Sequence, residues 1–154
     1  MKLKNETLSK NFLIYGFGKS GISSLKYLKK ENRCFIFDDD KKKIKNKYKK
    51  FFISKSKLLN NNFDYIVISP GININRCQLS NYLKKNQKKV ITDFDIFYKF
   101  NPEVLTITIT GTNGKSTTSK LLYDILKKHH YDTRLAGNIG NPILEEKRVT
   151  KNTI

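Results

Sequence analysis

The stretch Asn11-Phe12-Leu13-Ile14-Tyr15-Gly16-Phe17-Gly18-Lys19-Ser20-Gly21 decides the fold of this 154-residue chain. An apolar strand, Asn11 to Tyr15, runs into a turn with G-x-G-x-x-G spacing. Ile22 to Lys30 follows, with Ile22, Leu25 and Leu28 at helical spacing. Strand, glycine turn and helix form the context in which this spacing binds a phosphate. The glycines permit a tight turn and close backbone approach, and the helix start presents unpaired N–H groups and a positive dipole end. The same letters also serve plain helix–strand packing, or an NAD-binding oxidoreductase.

Further along, the alternation continues. Cys34 to Phe37 reads as a second strand that ends at Asp38-Asp39-Asp40, where an acidic residue would meet a ribose or base. Lys41 to Lys50 is charged and reads as a short helix or loop, and Phe51 to Ile53 as a short strand. Tyr65 to Ile68 is an apolar strand stopped by Ser69-Pro70-Gly71, Gln78 to Lys85 a helix, and Val90-Ile91 a strand. Ser-Pro-Gly is a common turn. Here it falls at the carboxyl end of a parallel strand, facing the same crevice as the glycine turn. Such alternation predicts an α/β fold with a parallel sheet and crossover helices.

Asp93 to Phe100 is aromatic and amphipathic, and Asn101-Pro102 breaks it. A boundary there divides the chain into a Rossmann-like unit, 1–100, and the start of a second α/β unit, 101–154. The second unit opens on Val104 to Thr110, whose β-branched residues predict a strand buried on both faces. Gly111-Thr112-Asn113-Gly114-Lys115-Ser116-Thr117 follows. Then comes a helix, Thr118 to His129, with Leu121, Leu122, Ile125 and Leu126 toward a core, and a strand from Thr133 to Ala136. A glycine-rich loop between a strand and a helix cradles phosphates with its amides. Lys115 then reaches the terminal phosphates as the catalytic cation, and the Ser116 hydroxyl ligates Mg²⁺. The general phosphate-loop pattern requires glycine where Ile109 stands, so the loop is a shortened variant.

Two phosphate turns on one chain argue against a simple dehydrogenase. The loop GTNGKST resembles the ATP loop of the Mur ligase and folylpolyglutamate synthase superfamily. An N-terminal unit of the present type is similar to that of the Mur ligases. The order of Gly16 to Gly21, Asp38, Ser69-Pro70-Gly71-Ile72, the GTNGKST loop and Gly137-Asn138-Ile139-Gly140-Asn141-Pro142 is that of the D-glutamate-adding branch. The L-alanine-adding branch, the alternative, usually has histidine where Asn113 stands.

The resemblance implies a cytoplasmic, monomeric ligase. It would form an amide between UDP-N-acetylmuramoyl-L-alanine and D-glutamate through an acyl phosphate, with ATP and Mg²⁺. It implies that Gly18, Lys19, Ser20, Asp38, Ser69, Pro70 and Gly71 line the uridine diphosphate site. Gly111, Thr112, Asn113, Gly114, Lys115, Ser116 and Thr117 would hold ATP, with Ser116 on Mg²⁺. Asn138 would sit between the nucleotide and the muramoyl group. After Asp38 the family often has a hydroxyl residue and then arginine; here Asp39 and Asp40 follow. The resemblance also implies an acidic metal ligand, a histidine, a carbamylated lysine and an amino-acid-binding domain for which the chain shows no substitute. Alone, it is expected not to ligate.

Composition agrees with a globular enzyme. Hydrophobic content is 38%, too rich for disorder, and no apolar run is long enough to span a membrane. The polar start predicts no secretory leader, and two cysteines without CxxC spacing fit a reducing cytosol. The net charge of +18 comes from lysines spread along the whole chain beside abundant asparagine. That reads as compositional bias; a nucleic-acid footprint would cluster arginine and lysine around a binding motif. His129 and His130 close a helix, where cations meet the dipole favourably.

Overall fold

The computed structural model describes residues 9–40, 45–146 and 148–154. The acidic turn at Asp38 to Asp40 is therefore within view, whereas positions 41–44 of the predicted charged helix or loop lie outside the described residues. Four parallel strands form the sheet: β1 (Asn11–Tyr15), β2 (Arg33–Phe37), β3 (Tyr65–Ile68) and β4 (Val90–Ile91), in the order β2-β1-β3-β4. The helices are α1 (Lys19–Leu28), α2 (Lys55–Leu59), α3 (Ser80–Lys85), α4 (Asp93–Phe100) and α5 (Lys115–Lys128). Tight 3₁₀ turns span Asn46–Phe51, Gln87–Lys89 and Ile143–Glu145. The predicted Phe51 to Ile53 strand amounts to one parallel bridge, Ile36 to Phe52, at the edge of β2.

β1 is central because its side chains are apolar on both faces. Phe12 and Ile14 join one core with Leu25, Leu28, Ile36, Val67, Ile96 and Phe97. Leu13 and Tyr15 join a second core on the opposite face with Phe37, Leu58, Phe63, Ile66 and Leu83. This is the two-residue alternation of a pleated strand covered on both sides. In register, Phe12 pairs with Cys34 on one flank and Tyr65 on the other. The chain leaves β1 toward β2 and returns on the other side as β3. The crevice of a doubly wound sheet therefore opens at the carboxyl ends of β1 and β3. α4 starts cleanly: the Thr92 hydroxyl accepts from the Asp95 amide, and the Asp95 carboxylate accepts from the Thr92 amide.

The second unit departs from the sequence reading. Val104 to Thr110 forms no ladder among the described residues, and Leu105 and Ile107 are 58% and 50% exposed. Thr133 to Ala136 is likewise no strand; only isolated bridges join Asp132 to Thr153 and Ala136 to Asn141. On α5 the expected core side is half right. Leu122 and Leu126 are half-buried, but Leu121 and Ile125 are exposed. The reason is shared. β-branched residues favour a strand because they fit a pleated surface with neighbours on it. No described strand lies beside Val104 to Thr110, and so no sheet exists for α5 to cover. What holds this region is a short return of the chain. Ile143 and Leu144 bury themselves in the first core, against α1 and α4, and Lys26 pairs with Glu145 at 2.8 Å.

Among the described residues, no helix is long and apolar enough to cross a membrane.

Candidate functional site

The first turn is locked from below. The Gly16 amide donates to the Phe37 carbonyl at 2.9 Å, and the Ser69 hydroxyl donates to the Gly16 carbonyl at 2.7 Å. Asp38 is 5% exposed and spends both oxygens on backbone: Phe17 N donates to Oδ2 at 2.6 Å, Asp40 N to Oδ1 at 2.8 Å. Gly21 passes so close to the Gly16 carbonyl that a Cβ there would lie 2.1 Å from its oxygen. With those partners fixed, the amides of Gly18 to Gly21 at the start of α1 have no acceptor among the described residues. They are the unpaired donors that an anion would occupy. Lys19 is exposed and Ser20 half-buried beside them.

Sequence reasoning put Asp38 on the ligand. The structure gives its oxygens to the loop that shapes the turn. The residue it missed is Tyr15. Fully buried at the end of β1, its hydroxyl donates to Asp39 Oδ1 at 2.7 Å, tying the acidic turn to the central strand. Burial, then the Asp39 hydrogen bond, hold this phenol well above the ordinary tyrosine range, so it stays a donor. The signal was an aromatic residue just before the glycines, which reads equally well as core. The Ser69-Pro70-Gly71 turn sits opposite the glycine turn, with Ser69 N donating to the Tyr15 carbonyl at 3.0 Å.

The second turn is built differently. Gly114 adopts a left-handed conformation, φ 74°, immediately before α5. Glycine reaches this region without the steric cost an L side chain bears. α5 then starts with no side-chain cap, and the amides of Thr112 to Thr117 have no acceptor among the described residues. Lys115 Nζ folds back onto the loop, donating to the carbonyls of Gly111 and, at 3.0 Å, Thr112. The lysine charge is therefore tied to the loop's own carbonyls. The Ser116 hydroxyl is exposed and has no partner among the described residues.

A cavity of about 500 Å³ joins the two turns. Ser20 and Pro70 line it from the first, Lys115 and Ser116 from the second, and Asn138 from a loop beyond α5. Thr92 and Asp93 line it from the start of α4. That loop beyond α5 abuts α4: a Cβ on Gly137 would lie 3.9 Å from Phe94 Cζ. Among the described residues no group of three or more His, Cys, Asp or Glu gathers at a metal-binding distance. His130 serves the backbone. It takes φ 64° at the end of α5, with its amide on the Lys127 carbonyl and the Tyr131 amide on the Leu126 carbonyl, the Schellman arrangement.

Two helix starts with free amides thus line one cavity. Residues 109–154 match the Mur ligase middle domain. More particularly, the chain is similar to UDP-N-acetylmuramoylalanine--D-glutamate ligases. That of Rickettsia bellii (strain RML369-C) is 36% identical over 143 residues, 89% of this chain and 31% of that protein. That of Clostridioides difficile (strain 630) is 32% identical over 151 residues, 88% of this chain and 32% of that protein. That of Wolbachia pipientis wMel is 32% identical over 152 residues, 94% and 30% respectively. The chain thus spans about a third of the length of the curated relatives it matches.

Proposed function

We propose that this chain carries the uridine-nucleotide turn and the ATP loop of a cytoplasmic ligase that adds D-glutamate to UDP-N-acetylmuramoyl-L-alanine. Residues 1–100 form the uridine-binding unit, and 101–154 begin the ATP-binding unit. The observation that carries this reading is one cavity lined both by Ser20 and Pro70 from the first turn and its neighbour and by Lys115 and Ser116 from the second.

In this reading the amides of Gly18 to Gly21 take the diphosphate, which suits the positive end of α1. Asp38 and Ser69 act beneath them, by fixing the turn. Lys19, Pro70 and Gly71 border the nucleoside, and Asn138 stands between nucleotide and sugar. The loop from Gly111 to Thr117 takes the phosphates of ATP. Its fit rests on unengaged amides, a left-handed glycine and a lysine already held over the loop.

Bound ATP and Mg²⁺ supply a transferable phosphoryl group and charge neutralisation, chemistry that depends mainly on positioning. Lys115 has to release the Gly111 and Thr112 carbonyls to reach an anion, so phosphate and carbonyls compete for one ammonium. Ser116 offers a single oxygen to Mg²⁺, an ion that keeps several waters and binds through few protein ligands plus substrate phosphates. Among the described residues no group of three or more His, Cys, Asp or Glu side chains gathers to hold the ion. Spanning about a third of the length of the relatives it matches, the chain by itself is proposed to bind and not to ligate.

Titrating UDP into the chain tests the first half: measurable binding supports it, and neither heat nor a thermal shift refutes it. Phosphate release with UDP-N-acetylmuramoyl-L-alanine, D-glutamate and ATP tests the second. Background release is expected, and sustained turnover would refute it.

A further inference from the structure

Among the cavity-lining side chains, Asp93 has no assigned role. It is the first residue of α4, it is 4% exposed, and it lines the cavity that Ser20, Pro70 and Asn138 also line. One oxygen accepts from the neighbouring Phe94 amide at 3.1 Å; the other has no hydrogen-bond partner among the described residues. The helix does not need Asp93 as its cap, because Thr92 and Asp95 already form a reciprocal capping box. On the cavity lining, that second oxygen is open to a donor that enters the cavity.

The placement limits what that donor is. α1 on one side and α5 on the other each present free amides and a lysine, Lys19 and Lys115, to an anion. A carboxylate facing either phosphate group would repel it. Asp93 lines the same cavity from the start of α4, where Phe94 packs by the Gly137 turn that leads to Asn138. In the uridine-nucleotide reading, the substrate beyond the diphosphate carries neutral donors: the hydroxyl and amide N–H groups of its sugar.

We propose that Asp93 is a specificity-determining residue that accepts a hydrogen bond from a neutral hydroxyl or amide donor of the substrate's sugar-linked portion. The proposal rests on the uridine-nucleotide reading above. A charge-assisted bond of this kind separates a ligand that carries the donor from one that ends at the diphosphate.

The test is calorimetric titration of the 154-residue chain, unaltered and as Asp93→Asn and Asp93→Ser, with UDP and with UDP-N-acetylmuramoyl-L-alanine. Unaltered chain is expected to bind the longer ligand more tightly. Both variants are expected to lose about tenfold or more of that affinity. Their UDP affinity is expected to stay within twofold, which also shows that the crevice remains folded. Equal losses for both ligands, or no loss for the longer one, would overturn the role of Asp93 alone. No binding of either ligand by unaltered chain would overturn the uridine reading and this proposal with it. A change in melting temperature with unchanged affinities would make Asp93 a helix-start residue only.

Discussion

The glycine turn after β1 and the loop before α5 present the same feature, a helix start with free amides, and they reach it by opposite means. The first is fixed by the fold: Asp38 and Ser69 reach in from neighbouring strand ends, and Gly21 rides against a carbonyl. The second is fixed by itself. Its lysine clasps its own carbonyls, and around it Leu105, Ile107, Leu121 and Ile125 stay exposed. A helix start with free amides can therefore be preorganised by tertiary partners or by one charged side chain within the loop. The two should respond differently to mutation.

The largest contrast is expected between two glycines. Gly21→Ala forces a methyl onto the Gly16 carbonyl oxygen and should cost about 3 kcal/mol or more, at the upper end of overpacking. Gly114→Ala meets open space and bears only the left-handed backbone, about 1–2 kcal/mol. Urea denaturation of both variants measures the difference, and equal costs would break the comparison. Next in size is Asp38→Ala, which leaves the Phe17 and Asp40 amides without their acceptor and should destabilise by about 2–3 kcal/mol. A smaller effect is expected at the end of α5. His130→Gly relieves a left-handed histidine and should stabilise by up to about 1 kcal/mol, read as a raised urea midpoint.

Smallest is a pH effect on the clasp that closes the second region. The Asp132 carboxylate accepts from the Thr153 hydroxyl at 2.7 Å and pairs with Arg134; these bonds hold its carboxyl below the usual carboxylate range. A carboxyl depressed on folding contributes stability above its unfolded pKa and loses it as pH falls through the folded one. The protection of the Ile154 amide, which donates to the Asp132 carbonyl, should therefore decrease relative to its intrinsic exchange rate at pH below the ordinary carboxylate range and stay constant near neutrality. The Asp132→Asn variant should remove that dependence.

Much of the fold was readable in the letters. Asn11–Tyr15, Tyr65–Ile68 and Asp93–Phe100 match their predicted bounds, because apolar runs between strong turn residues leave few alternatives. Val104 to Thr110 was misread for a physical reason. A β-branched run states what it would bury beside other strands, and says nothing about whether those strands are there. The site followed the same division. That Gly16 to Gly21 and Gly111 to Thr117 sit at helix starts was legible from local pattern. That Asp38 turns inward, Tyr15 anchors Asp39 and Asp93 faces the cavity was not, since each depends on contacts between residues distant in sequence.

The central claim is that one chain holds two nucleotide turns with separate duties. Titrating ATP with Mg²⁺, and separately UDP, into unaltered chain and its Lys115→Ala variant tests it most directly. The account predicts that the variant loses about tenfold or more in ATP affinity while UDP binding and the melting temperature stay where they were. ATP binding indifferent to Lys115, or UDP binding lost along with it, would contradict the account.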